Sequence, residues 1–198
     1  QRIGQFPKPK WGWQDSGVRK IIKLMIPSII GSSAAQVNLL FNTLIASFLA
    51  AGSISWIYYS DRLLEFPVGV FGVALSTVVL PNLATKSAVR QQAQFRSIVQ
   101  WGIRIALLIS VPAASGLYIL SGPLIATIFL GGNFNINDLY MTQYSLMAYA
   151  FGLIGLSLVL ILASAYYAKQ NTKTPVKFGL IAIATNASLS ILFVTTLV

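Results

Sequence analysis

The sequence contains no cysteine and no histidine and has few charged residues. These absences exclude disulfides, thiolate or imidazole metal ligands, cysteine nucleophiles and histidine general bases. Charged residues make up 9% of the 198 positions, whereas soluble domains average about 25%. We therefore expect no soluble globular fold, no catalytic residue, no metal site and no cofactor.

Long uncharged runs dominate what is present. Hydrophobic residues make up 56% of the chain and the mean hydropathy is +0.73. Five uncharged runs cover residues 24–60, 66–85, 105–137, 139–168 and 178–198. Each of them is long enough for a membrane-spanning helix of about 20 residues. Since open strands cannot face lipid and no period-two alternation occurs, the runs predict helices. The sequence thus predicts an all-α polytopic membrane protein with about five transmembrane helices.

Proline, glycine and charged residues divide the chain. The predicted segments are a basic lead-in (1–17), a hairpin of two transmembrane helices (18–85), an amphipathic segment (86–100), two transmembrane helices with a loop (101–168), and a polar connection with a truncated fifth helix (169–198). Helix breaks are predicted near Pro27, at Pro67, at Pro81-Asn82 and at Ser121-Gly122-Pro123. A short interfacial helix is predicted over 123–130, and Asn135-x-x-Asp138 predicts the next helix start. The apolar run at the end and the non-methionine start indicate a piece of a larger protein.

Basic residues fall in alternate connections between the predicted helices. Thirteen of the 14 share one side if five spans alternate: Arg2, Lys8, Lys10, Arg19, Lys20, Lys23, Lys86, Arg90, Arg96, Arg104, Lys169, Lys173 and Lys177. The positive-inside rule assigns that side to the cytoplasm and the uncharged loops 50–53 and 121–138 to the periplasm or exterior. Topology therefore explains the net charge of +10, and we expect membrane lipids, not nucleic acid, as partners.

The fourteenth basic residue, Arg62, lies between Asp61 and Glu65 inside otherwise uncharged helical sequence. On scales that measure membrane insertion, a charge in a spanning helix costs several kcal/mol. Such residues therefore usually face a protein interior or a water-filled cavity. A polar and small-residue stripe shares its helical face: Ser55, Tyr58, Arg62, Glu65, Gly69, Gly72 and Ser76. Alternatively, the cluster lies at the outer end of the helix as an ordinary i,i+3 pair.

The first predicted span also has a polar face. Its members are Ser28, Ser32, Gln36, Thr43 and Ser47, with Asn38 and Asn42 on a neighbouring face. These side chains either line the same cavity or hold helices together, which is the common use of small and amide residues in membrane helices.

Residues 55–75, SWIYYSDRLLEFPVGVFGVAL, followed by Leu80-Pro81, resemble the signature of the MurJ (MviN) family of lipid II flippases. Ser121-Gly122-Pro123-Leu124, Met141-Thr142-Gln143 and Lys173-Thr174-Pro175-Val176-Lys177 extend the similarity over essentially the whole chain. The resemblance implies the fourteen-helix multidrug/oligosaccharidyl-lipid/polysaccharide exporter fold. This chain would be most of the second lobe, roughly helices seven to eleven, without the first lobe and the C-terminal helices.

The resemblance also implies a function. The family moves lipid II, an undecaprenyl diphosphate-linked muropeptide, across the bacterial inner (cytoplasmic) membrane by alternating access. The family's cavity arginine matches Arg62, its acidic neighbours match Asp61 and Glu65, and Ser55 matches a cavity-lining position. A guanidinium suits a diphosphate because it donates in bidentate form.

Two other functions are compatible with parts of the sequence. One is an exporter of the same superfamily for drugs or other lipid-linked glycans. The other is a membrane-embedded glycosyl or phosphoryl transferase, which needs a base and usually metal-binding carboxylates. Only Asp61 and Glu65 offer such a pair, so we expect a transporter and not an enzyme.

Overall fold

The structure is a computed structural model that describes residues 16–89 and 91–197, without some side chains of the first helix. Its helices are α1 (Ser16–Ser47), α2 (Ser53–Pro67), a π-helical segment (Val68–Val73), α3 (Ala74–Ala88), α4 (Gln92–Phe129), α5 (Ile136–Ala168) and α6 (Lys173–Leu197). The π-helical segment joins α2 and α3 into one column. The described residues therefore form five long helical columns, and the all-α prediction is confirmed.

Several of these columns are long and apolar enough to cross a membrane. Within the described residues, four meet that criterion: Ser53–Ala88, Gln92–Phe129, Ile136–Ala168 and Lys173–Thr196. In lipid, a helix satisfies its backbone hydrogen bonds within itself, which is why such sequences form helices of this length. The columns agree with a multi-pass membrane protein.

The α2–α3 column, α4 and α5 form the packed core. Buried side chains group in three clusters along the bundle, represented by Leu83 and Ile161, by Leu64 and Leu153, and by Ile125. α5 contacts α4, every part of the α2–α3 column and α6, so it is the central helix. Because lipid tails are as apolar as these side chains, close van der Waals packing is what holds the helices together.

α1 packs mainly on α6 through asparagines. Asn186 Nδ2 of α6 donates to Asn38 Oδ1 at 3.1 Å and to Asn42 Oδ1 at 3.0 Å. The neighbouring face with Asn38 and Asn42 thus contributes to packing between helices, whereas Thr43 of the predicted polar face donates to a carbonyl of its own helix. The side chains of Ser28 and Ser32 lie outside the described residues.

Most of the predicted helix breaks at prolines are wrong, because α1 continues through Pro27, α3 through Pro81 and α4 through Pro123. The interruption predicted at Pro67 is confirmed, since α2 ends there and the π-helical segment follows, although the helical column itself continues. Ending a helix in lipid would expose backbone groups that no water can satisfy, so the helix continues despite the lost hydrogen bond.

Packing also favours continuation at these places. Leu83, just after Pro81, is fully buried. Gly122 lies against Gln143 of α5, whose side-chain oxygen would be 3.1 Å from an added Cβ. The separate interfacial helix predicted over 123–130 is therefore the last part of α4, and the segment 86–100 is divided between α3 and α4 by a connection of residues 89–91.

The predicted start of α5 is confirmed. Asn135 is its N-cap, and its side chain accepts from the backbone N–H groups of Asn137 and Asp138. Asp138 Oδ2 accepts from the backbone N–H of Asn135 at 2.9 Å. This reciprocal arrangement is a capping box, which satisfies donors that the first helical turn leaves free.

The two ends of the bundle differ in charge. We call the end that holds the start of α1 and the connections 89–91 and 169–172 the basic end, and the end with connections 48–52 and 130–135 the neutral end. A pocket at the basic end is lined by Lys20 and Lys23 of α1 and by Lys173 of α6, which brings the lysines of separate segments together. Four basic residues lie outside the described residues: Arg2, Lys8 and Lys10 of the lead-in, and Arg90 between α3 and α4.

Candidate functional site

The candidate site begins at a tight turn at the neutral end. Gly52, which precedes α2, has a φ of 103°, a left-handed conformation that favours glycine. An added Cβ there would lie 2.8 Å from the Trp56 ring. The turn therefore needs glycine for both its backbone angle and the close approach of the indole.

The outer part of α2 is tied to α5 by polar bonds. Trp56 Nε1 donates to Asp138 Oδ1 at 2.8 Å. One turn further, the buried Ser60 hydroxyl lies 3.0 Å from the carbonyl oxygen of Thr142 and 2.8 Å from that of Trp56. Asp138 thus caps α5 with one carboxylate oxygen and holds α2 with the other, which fixes the rotation of α2 about its axis.

Arg62 lies on the opposite, open side of α2. Its Nη1 donates to Glu65 Oε2 at 2.6 Å, and the two side chains are 55% and 58% exposed. The guanidinium carbon lies 5.0 Å from the ring centroid of Tyr58, within range of a cation–π interaction. Arg62 is therefore oriented by its own helix, and the Glu65 bond uses only one of its five N–H donors.

The structure separates the other two predicted site residues from this pair. Asp61 is half-buried towards α5, within electrostatic range of Tyr149. Ser55 is exposed, seven positions before Arg62 and on the same face. Over residues 16–89 and 91–197, Arg62–Glu65 is the single ion pair. Glu65, and not Asp61, is the residue that holds Arg62.

The predicted stripe is continuous from Ser55 to Gly69 and ends there. Gly72 is buried, and a Cβ at this position would lie 2.6 Å from Leu160 Cδ1 of α5. Ser76 is half-buried and donates to the carbonyl of Val73. The inclusion of Gly72 in the open face was therefore wrong, because it lies on the face that contacts α5.

The π-helical segment explains this change of face. The packed positions of the column are Ser60, Leu64, Val68, Gly72, Leu75, Val79 and Leu83. In a regular α-helix these spacings would drift by roughly 140° around the axis. The wider turn of the π-helical segment takes up most of that drift, so that α2 and α3 both keep one side against α5.

Arg62 lies in the outer half of the column towards the neutral end. The column covers 36 residues, Ser53–Ala88, and Arg62 is about 13 Å from its midpoint at 1.5 Å per residue. Half of the hydrocarbon layer is about 15 Å. A column centred in the membrane would therefore hold Arg62 just inside the boundary nearest the neutral end.

This arrangement is suited to binding an anion. In the part of the chain that the structure describes, no group of three or more His, Cys, Asp or Glu side chains comes together. A rigidly presented guanidinium with a flanking phenol and free donors can bind a phosphate group through charge-assisted hydrogen bonds.

The residues that position this face were not predicted from the sequence. Trp56, Ser60 and Thr142 were not predicted to act together, and Asp138 was predicted only as a helix start. The bonds Trp56–Asp138 and Ser60–Thr142 each join residues 82 positions apart. Local residue spacing cannot predict pairs that lie so far apart in the sequence. The one local feature that could have indicated a polar contact with another helix was Ser60, a small polar residue next to the charged cluster.

Comparisons with known proteins find similarity over the whole chain. Residues 1–198 match the family described as lipid II flippase MurJ. The chain is 51% identical to a probable lipid II flippase MurJ of Haemophilus influenzae, with 97% of this chain and 39% of that protein aligned. It is 47% identical to the corresponding protein of Vibrio cholerae, with 97% and 37% aligned.

A solved structure is also similar. It is described as lipid II flippase MurJ in an inward closed conformation, and it matches with a TM-score of 0.77 at 30% identity. The match covers 94% of this chain and 39% of that one. The chain therefore spans about two fifths of the length of the proteins it resembles.

Proposed function

The chain belongs to the lipid II flippase MurJ family, and we propose that it is the part of a flippase that contributes one wall of the substrate pathway. The protein is a multi-pass protein of the bacterial inner membrane, and the family consists of transporters and not enzymes. The longer protein would carry lipid II from one leaflet to the other by alternating access.

The observation that carries this proposal is the open face of α2. A charged, hydrogen-bonded group, Arg62–Glu65, is more than half exposed on a helix that is otherwise apolar enough to span a membrane. Such groups are stable in membranes when they face a cavity lined by protein or water. We infer that the rest of the longer protein stands across from this face and encloses the cavity.

In this proposal, Arg62 binds the diphosphate of lipid II. Without substrate, Glu65 neutralises the guanidinium and holds it above Tyr58. When the diphosphate enters, the free N–H donors bind its oxygens in bidentate form, and Ser55 offers a further hydroxyl on the same face. Glu65 then competes with the diphosphate, which limits affinity and favours release on the far side.

Asp61 has a different role in this proposal. Asp61 is half-buried, within electrostatic range of Tyr149, and forms no ion pair among the described residues. It adds negative potential behind Arg62, so that the site is not strongly cationic when empty. An exporter of drugs would have no use for a bidentate cation on this face, whereas a flippase of other lipid-linked glycans would share the diphosphate site.

The first test replaces Arg62 in the full-length protein. We expect Arg62→Ala to reduce lipid II flipping by about tenfold or more, because hydrogen bonds to charged groups contribute about 1.5–3 kcal/mol each. Arg62→Lys should retain part of the activity, since an ammonium keeps the charge but not the bidentate geometry. Flipping in proteoliposomes and growth with this protein as the only flippase are the measurements.

Two controls make the result specific. Arg104→Ala removes another exposed arginine from a spanning helix, α4, and should leave flipping unchanged. Arg62→Ala/Glu65→Gln removes the carboxylate left without a partner, and activity should stay low. Normal flipping by Arg62→Ala at normal expression would contradict the assignment, as would recovery of activity in the double variant.

A further inference from the structure

A groove at the basic end lies between the first turns of α4 and the last turns of α5. It encloses about 360 Å³, and its lining includes Arg96 and Gln92 from α4, Tyr166 from α5, and Lys169 directly after α5. Val99 and Leu162 form an apolar floor. The groove is therefore cationic and polar at its mouth and apolar along its length.

The cations of this groove are held in place but are not neutralised by the protein. Lys169 Nζ lies 4.6 Å from the centroid of the Phe95 ring, and Phe95 is itself packed in the core. α4 contains no acidic residue, and the only one in α5, Asp138, is at the neutral end. Within the described ranges, neither Arg96 nor Lys169 takes part in an ion pair.

A cationic mouth above an apolar floor matches the chemistry of an amphiphile with an anionic head. A free phosphate would satisfy the charges but leave Val99 and Leu162 without a partner. A zwitterionic lipid would cover the floor but bring no net charge to Arg96 and Lys169. Basic pockets between membrane helices on the cytoplasmic side are suited to acidic lipid head groups.

We propose that this groove binds one anionic phospholipid from the leaflet at the basic end. Its phosphate accepts hydrogen bonds from Arg96 and Lys169, with Tyr166 and Gln92 as further donors, and the upper part of one acyl chain lies along Val99 and Leu162. The lipid bridges the start of α4 and the end of α5. This site is separate from the α2 face and does not depend on the substrate proposed above.

The experiment is native mass spectrometry of the full-length protein with phosphatidylglycerol and phosphatidylethanolamine supplied in equal amounts. We expect the wild-type protein to retain one phosphatidylglycerol in preference to phosphatidylethanolamine. Arg96→Gln/Lys169→Gln should lower that retention by about tenfold or more, because each basic residue near an anionic lipid contributes to binding. Arg96→Lys/Lys169→Arg, which keeps both charges, should retain the lipid.

The matched control is Lys20→Gln/Lys23→Gln, which removes two charges from the same end of the bundle but not from the groove. It should retain phosphatidylglycerol like the wild type. Equal loss in both double glutamine variants, equal retention of the two lipids, or displacement by millimolar inorganic phosphate would each overturn the proposal. Thermal melting of every variant checks that the fold is kept, and flipping by the groove variants is measured separately.

Discussion

Two charged side chains of the spanning helices, Asp138 and Arg62, have opposite environments. Each carboxylate oxygen of Asp138 accepts an N–H, one from Trp56 and one from the backbone of Asn135. Arg62 instead has one carboxylate partner from its own helix and an open side. A charge whose hydrogen-bonding capacity is used within the fold stabilises structure, whereas one with free donors is available for a ligand.

Asp138 therefore provides a prediction about stability. Asp138→Ala should lower the free energy of unfolding by about 2 kcal/mol, because it removes a helix cap and leaves the Trp56 N–H without an acceptor. Trp56→Phe removes only the bond between helices and should cost about 1 kcal/mol of hydrogen-bond energy. The double variant should lose about 1 kcal/mol less than the sum of the two single losses, because both single variants remove the same bond. Unfolding of the full-length protein in mixed micelles measures all three.

A neighbouring residue supplies the control for this cycle. Asn135→Ala weakens the same cap but does not touch the bond to Trp56. Its effect should therefore add to that of Trp56→Phe without coupling. Simple additivity of Trp56→Phe and Asp138→Ala would show that the bond between α2 and α5 contributes nothing.

At the scale of elements, the α2–α3 column depends on its π-helical segment. This segment lets Ser60 and Leu64 before it and Val79 and Leu83 after it face α5 together. The same rotation keeps Arg62 on the open side. The packing of α3 on α5 is therefore coupled to the exposure of the charged face of α2 through the six residues Val68–Val73.

Insertion of one alanine after Val70 tests this coupling. The added residue turns α2 relative to α3 by about 100°. Either Arg62 leaves the open face or Val79 and Leu83 leave the core, and we expect flipping to be lost and the melting temperature to fall. Val70→Ala keeps the chain length at this half-exposed position and should behave like the wild type. Full activity of the insertion variant would refute this coupling.

At the scale of the whole chain, charge is separated between the two ends of the bundle. The connections at the neutral end, 48–52 and 130–135, hold no charged residue. Lysines from α1 and α6 line one pocket with polar residues of the α5–α6 connection at the basic end. The positive-inside rule predicts that the basic end faces the cytoplasm, and the neutral end, with the outer part of α2, faces the periplasm.

The absence of cysteine makes this orientation simple to measure. A cysteine at Asn133 should react with a membrane-impermeant maleimide in intact spheroplasts, whereas one at Asn171 should react only after lysis. Both positions are exposed in connections between helices. Other cysteines of the longer protein are replaced first. The reverse labelling pattern would show that the orientation is inverted.

Much of the helical organisation was accessible from the sequence. Uncharged length predicted the columns because the membrane imposes a minimum length on them, and the Asn135–Asp138 box predicted the start of α5 because capping is local. The breaks predicted near Pro27, at Pro81 and at Pro123 were wrong, since lipid penalises a broken helix more than a missing hydrogen bond. The family was also recognisable, because residues 55–75 form one continuous signature.

The sequence by itself determined that this protein is a helical membrane protein, where its charges lie, and that Arg62 is exceptional. Only the tertiary structure decided which face of α2 is open, that Glu65 and not Asp61 holds Arg62, and that Gly72 packs on α5. Those facts depend on contacts between helices distant in the chain, such as Trp56 with Asp138. The register of one helix against another is set by the fit of whole surfaces, and no local pattern of residues specifies it.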